Sequence, residues 1–98
     1  MNKVALLVRL EARPGKENEV ADFLRSGLQL VMDEPETLNW YGIQLGPLSF
    51  GIFDTFSGDE GRRAHLTGKV AQALMANASN LLSKDPVIEF VDVLAEKI

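Results

Sequence analysis

Bulky apolar residues alternate along Lys3–Ala12. Val4, Leu6, Val8 and Leu10 form one row, and Ala5, Leu7, Arg9 and Glu11 the other. That period of two predicts a strand. Arg13-Pro14-Gly15 ends it, because proline biases the residue before it toward extended geometry and glycine tolerates the turn. The period changes over Lys16–Asp33, where Val20, Phe23, Leu24, Leu28 and Val31 recur at helical spacing. Gly27 lies beside this stripe. It weakens the helix by about 1 kcal/mol against alanine, which predicts close packing on the sheet. Glu34-Pro35-Glu36 breaks the helix, and Thr37–Leu45 returns to alternation. There Leu38 and Trp40 face one way, and Asn39, Tyr41, Ile43 and Leu45 the other. Gly46-Pro47 turns the chain into Phe50–Phe56, so these two strands form an antiparallel hairpin. Phe50, Ile52 and Phe56 point to one face of the second strand and Phe53 to the other. A strand apolar on both faces must be covered on both.

Ser57-Gly58-Asp59-Glu60 leads into a second helix over Glu60–Ala76. Ser57 with Glu60 fits a capping box, and Asp59 is a rival N-cap. Leu66, Val70, Ala73 and Leu74 form the apolar row, and Gly68 within it predicts a bend or a split. Asn77–Lys84 reads as a short helical turn, and Val87–Ala95 as the last strand. Two right-handed crossovers in this order predict an α+β fold: a ferredoxin-like βαββαβ sandwich, with a four-stranded antiparallel sheet and two helices on one face. The 98 residues make a single domain, 1–98. The helices cover one face of the sheet, and the other is still partly apolar. A homodimer with sheets packed face to face is therefore expected.

Charge narrows the partners. The formal net charge is −4, so nucleic acid is not expected as a partner, since phosphate binding needs a basic surface. Arg62-Arg63 is too small a cluster to reverse this. The chain has no Cys and one His, which leaves no thiolate or multi-histidine metal site. Val4–Val8 is too short for a membrane span or a signal peptide's core, so a cytoplasmic chain without a membrane partner is expected. No dinucleotide fingerprint, phosphate loop or nucleophile elbow is present.

The chain resembles the antibiotic biosynthesis monooxygenase (ABM) domain family. The matching pieces are Arg13-Pro14-Gly15-Lys16, Glu34-Pro35, Phe50-Gly51-Ile52-Phe53-Asp54, Arg63-Ala64-His65-Leu66 and Val91-Asp92-Val93-Leu94. The resemblance implies a dimeric α/β barrel and oxidation of a small aromatic substrate without a cofactor. Relatives that degrade haem use an asparagine on the first strand and a late histidine on the second helix. Here Val8-Arg9 and Met75 stand in those places.

Cofactor-free oxygenation asks for an apolar pocket, donors for an oxyanion and a proton acceptor. Asn39, Trp40 and Tyr41 supply donors. His65 is the acid–base candidate because it titrates near neutrality. Asp54, a carboxylate in an apolar strand, is a candidate base if buried. His65, Asn39, Tyr41 and Asp54 are thus the catalytic candidates. Trp40, Arg62, Phe53 and Phe90 are the substrate-binding candidates, with Arg62 or Arg63 to hold an anionic oxygen. Asn39 and Trp40 point to opposite faces, so one pocket takes both only across a bulge. Each residue also has a structural reading: His65 as packing, Trp40 as core or interface, the arginines as a solvated face. A non-enzymatic dimeric ligand-binding module, and an oxygen-independent isomerase or dehydratase, are the alternative functions.

Overall fold

The structure is a computed structural model that describes residues 3–98. Its elements are β1 (Val4–Glu11), α1 (Glu17–Val31), β2 (Thr37–Gln44), β3 (Ser49–Phe56), α2 (Asp59–Leu66), α3 (Lys69–Leu81) and β4 (Val87–Asp92). The four strands form one antiparallel sheet in the order β2-β3-β1-β4, the ferredoxin-like order. The single-chain sheet is open, with β2 and β4 at its edges. Gly15 ends the β1–α1 turn at φ 90°, in the left-handed region where a Cβ is costly.

Register assigns the faces. Val8 pairs with Ile52 and Leu10 with Phe50, so these side chains share a face. They join Val20 and Leu24 from α1 and Leu74 from α3 in the buried core. Gly27 and Gly42 allow the close approach of α1. A Cβ at Gly27 would lie 3.2 Å from Val70 and 3.4 Å from the Trp40 ring, and one at Gly42 3.1 Å from Leu24. The opposite face carries Leu7, Phe53, Tyr41, Ile43 and Val91 with an Arg9–Glu89 ion pair at 3.0 Å.

Three helices stand where two were expected. The chain breaks at Thr67–Gly68, so the predicted helix over Glu60–Ala76 is α2 and α3. The apolar row then continues to Leu81, absorbing most of the turn placed at Asn77–Lys84. The capping box does not form. Gly58 is the N-cap of α2, in extended geometry and with no side-chain cap bond. Asp59 is instead drawn to Arg62 and Arg63. β4 stops at Asp92 rather than Ala95. Among the described residues no helix is long and apolar enough to cross a membrane.

Candidate functional site

The site begins with a carboxylate in the core. Asp54 lies on β3, an interior strand, and its row faces the helices together with Ile52 and Phe56. It is fully buried. Burial pushes its carboxyl above the ordinary value of 3.8, and contact with His65 only partly offsets this. His65 arrives from α2 and is buried beside the Phe56 ring, with ring centroids 5.4 Å apart. Its Nε2 lies 2.8 Å from Asp54 Oδ2. This contact ties the buried carboxylate to the imidazole. Its Nδ1 lies 2.6 Å from Glu34 Oε1.

Glu34 comes from the α1–β2 loop, where Pro35 restricts its backbone. Thr37 Oγ1 donates to the same Glu34 oxygen at 2.8 Å. A bulge in β2 between Thr37 and Asn39 makes this possible, because it sets Thr37 opposite Phe56, on the helix side of the sheet. His65 is therefore an imidazole clamped between two carboxylates from different segments. Burial acts to lower its pKa, but the contacts with Asp54 and Glu34 outweigh burial and raise it above 6.5.

Three of the depressions on this side of the molecule share lining residues and form a seam that leads toward His65. The first, of about 430 Å³, is mostly apolar, lined by Leu24, Leu28, Trp40 and Phe50, with Arg25 and Gln44 also in its lining. The second, of about 350 Å³, shares Leu28, Trp40 and Tyr41 with it and reaches Glu34 and Thr37. The third, of about 180 Å³, shares Glu34 and Thr37 and is lined by His65. Glu34 Oε2 and Trp40 Nε1 are buried without a hydrogen-bond partner.

The predicted residues divide between two faces. Asp54, His65 and Trp40 share the helix side, with Trp40 directly opposite Asp54. Asn39 and Tyr41 pair with Thr55 and Phe53, so their side chains lie on the other face of the sheet; Asn39 Oδ1 accepts from Thr55 Oγ1 at 3.0 Å. Both still border the seam because β2 is an edge strand. Phe53 lies on the face away from His65. Phe90 lies on β4, under the Arg62 guanidinium at 4.6 Å. Arg62 is not a solvated residue. Its side chain is 11% exposed, and it donates to the carbonyls of Ala5 and Val91 as well as to Asp59. Arg63 is exposed and paired with Asp59. Glu34 was not among the residues singled out from the sequence. Its signals were its place before Pro35, between a helix and a strand, and the Glu34-Pro35 pair among the pieces that carry the family resemblance. Among the described residues no group of three or more His, Asp, Glu or Cys is arranged to hold a metal ion.

This architecture is that of several solved structures. One from Caulobacter crescentus, provisionally titled an antibiotic biosynthesis monooxygenase, superposes with a TM-score of 0.81 at 16% identity, over 96% of this chain and 92% of that one. Another of that provisional title, from Nitrosomonas europaea, gives 0.83 at 12% identity, over 95% and 91%. These likenesses show the ABM-like fold. The chain belongs to the family of the NE2512 protein from Nitrosomonas europaea, whose function is unknown. That crystal structure superposes with a TM-score of 0.97 at 53% identity, over 100% of this chain and 95% of the other. No family profile and no curated protein matches the chain.

Proposed function

We propose that the protein is a cofactor-independent oxidase or monooxygenase of small hydroxylated aromatic compounds. The observation that carries this reading is the clamp of His65 between Asp54 and Glu34 at the end of an apolar seam. The seam would hold the ring, and the clamp would take the hydroxyl proton. The resulting anion is electron-rich enough to reduce O₂. A quinol would give a quinone and hydrogen peroxide, with two electrons and two protons transferred. An activated ring methylene would give a carbonyl and water, with one oxygen atom going to each product. The provisional titles of the structural neighbours agree with this class.

Oxygen uptake by the purified protein, with hydroquinones and anthrone-type phenols, tests it. The expected result is protein-dependent uptake that His65→Ala abolishes. No uptake across the panel would overturn it and favour a non-enzymatic binding module. That second reading has one observation in its favour: both nitrogens of His65 are already engaged. An oxygen-independent isomerase or dehydratase would use the same clamp, and strict dependence on O₂ separates the two.

The working unit we propose is a homodimer. The sheet face with Leu7, Phe53, Tyr41 and Ile43 has no helix over it, and a second copy would remove that apolar surface from water. Light scattering at micromolar concentration should give twice the chain mass, and a monomer mass would exclude the dimer.

A further inference from the structure

We infer that the seam takes its aromatic ligand as the uncharged hydroxy compound and selects against ring carboxylates and other anionic rings. This rests on the reading of the seam as the substrate site. The hollow beside His65 is bordered by Asp33, Glu34 and Glu36, with neither arginine nor lysine in its lining. The adjoining hollow adds only apolar and uncharged residues, among them Leu28, Met32 and Trp40. The neighbouring cations are committed or set apart. Arg62 and Arg63 are held by Asp59, Arg25 lines the first hollow, away from His65, where Asp22 pairs with it, and Lys69 is exposed.

A second observation points to the form of the ligand. Glu34 lines both hollows with a buried, unpartnered Oε2, and Trp40 lines the adjoining one with a buried, unpartnered indole N–H. An unpartnered acceptor and an unpartnered donor in the lining suit a hydroxyl group, which can give one hydrogen bond and receive another. A ligand anion would face Asp33, Glu34 and Glu36, and the one group of that lining able to carry positive charge, His65, is already held between two carboxylates; like charges at short range are strongly unfavourable where water is scarce.

Binding under anaerobic conditions tests this apart from turnover. The chain has one Trp and one His, so the Trp40 indole and the His65 ring each give a single, unambiguous NMR signal. Hydroquinone should shift both signals. Its carboxylated analogue, 2,5-dihydroxybenzoate, should bind about tenfold more weakly or less. Asp33 and Glu36 are exposed, so the double variant Asp33→Asn, Glu36→Gln should fold normally. It should narrow that ratio about threefold or more, because these two carboxylates form the rim. Equal affinity for the two rings would overturn the inference, as would a preference for the carboxylated one or an unchanged ratio in the double variant. Loss of both signals' response to hydroquinone would overturn it too, while the oxidase reading would still stand or fall on oxygen uptake.

Discussion

Gly68 lies against the carboxylate of Glu34: a Cβ at position 68 would sit 2.7 Å from Glu34 Oε2. The glycine is not required by its backbone angles, since its φ is −78°. It is required by the side chain that lies over it. Gly68→Ala should therefore displace Glu34 from His65 and lower stability by about 1–3 kcal/mol, the usual cost of overpacking. Urea unfolding measures the loss. Glu34→Ala in the same background should restore part of it, because the clash is then gone.

Stability should depend on pH through the same clamp. The pKa values of His65 and Asp54 are both raised in the folded chain. A raised group contributes stability that is complete below its ordinary value and is lost as pH climbs through its folded value. For His65 the contribution is full below 6.5 and fades above it; for Asp54 it is full below 3.8 and fades as pH climbs from there. Asp59 has the opposite sign. Hydrogen bonds from Arg63 and Arg62 lower its pKa, so its contribution is lost at the acid end, as pH falls below 3.8. The Tm should peak on the mildly acid side and fall as pH climbs above 6.5. His65→Gln should flatten that fall. A Tm that rises steadily over the same range in the natural chain would contradict the clamp.

Asp54→Asn tests which partner holds the charge on His65. Burial alone would lower the imidazole's pKa, and the two carboxylates reverse that effect. With Asp54 uncharged, only Glu34 opposes burial, and the titration midpoint of His65 should fall. NMR of the single histidine reads this directly. A midpoint unmoved by Asp54→Asn would mean that Glu34 alone sets it.

Arg62 should act as a structural clip between β1 and β4. It bonds the carbonyls of Ala5 and Val91, which are cross-strand partners, and stacks on Phe90. Arg62→Ala should lower stability by about 1–3 kcal/mol, since hydrogen bonds from a charged donor exceed ordinary ones. Oxygen uptake per folded molecule should stay within about twofold, because Arg62 does not line the His65 hollow. Arg63→Ala, at an exposed surface pair, should change stability little.

Much of the fold was legible because hydrophobic period and turn residues carry it. The alternation of Val4, Leu6, Val8 and Leu10 and the stripe through Val20, Leu24 and Val31 marked β1 and α1 within two or three residues. Gly68 marked the break between α2 and α3, although the pattern alone did not decide between a bend and a split. The site was less legible. Asp54 stood out as a carboxylate in an apolar strand, and His65 as the one histidine of the chain. Glu34 did not, because its partners are distant in sequence and its neighbours are other acidic loop residues. Asn39 and Tyr41 looked like companions of His65, yet the pleat sends them to the other face. Arg62 looked like a surface charge because its acceptors are backbone carbonyls, which no sequence pattern displays.

Glu34, Asp54 and His65 belong to a loop, an interior strand and a helix that meet only when the hairpin is in register and α2 has docked. A one-residue slip of β3 would send Asp54 to the open face and bring Phe53 inward. The His65 contacts therefore require the long-range pairings to be in place. A collapsed molecule with the wrong strand pairing would have the right composition and no clamp on His65.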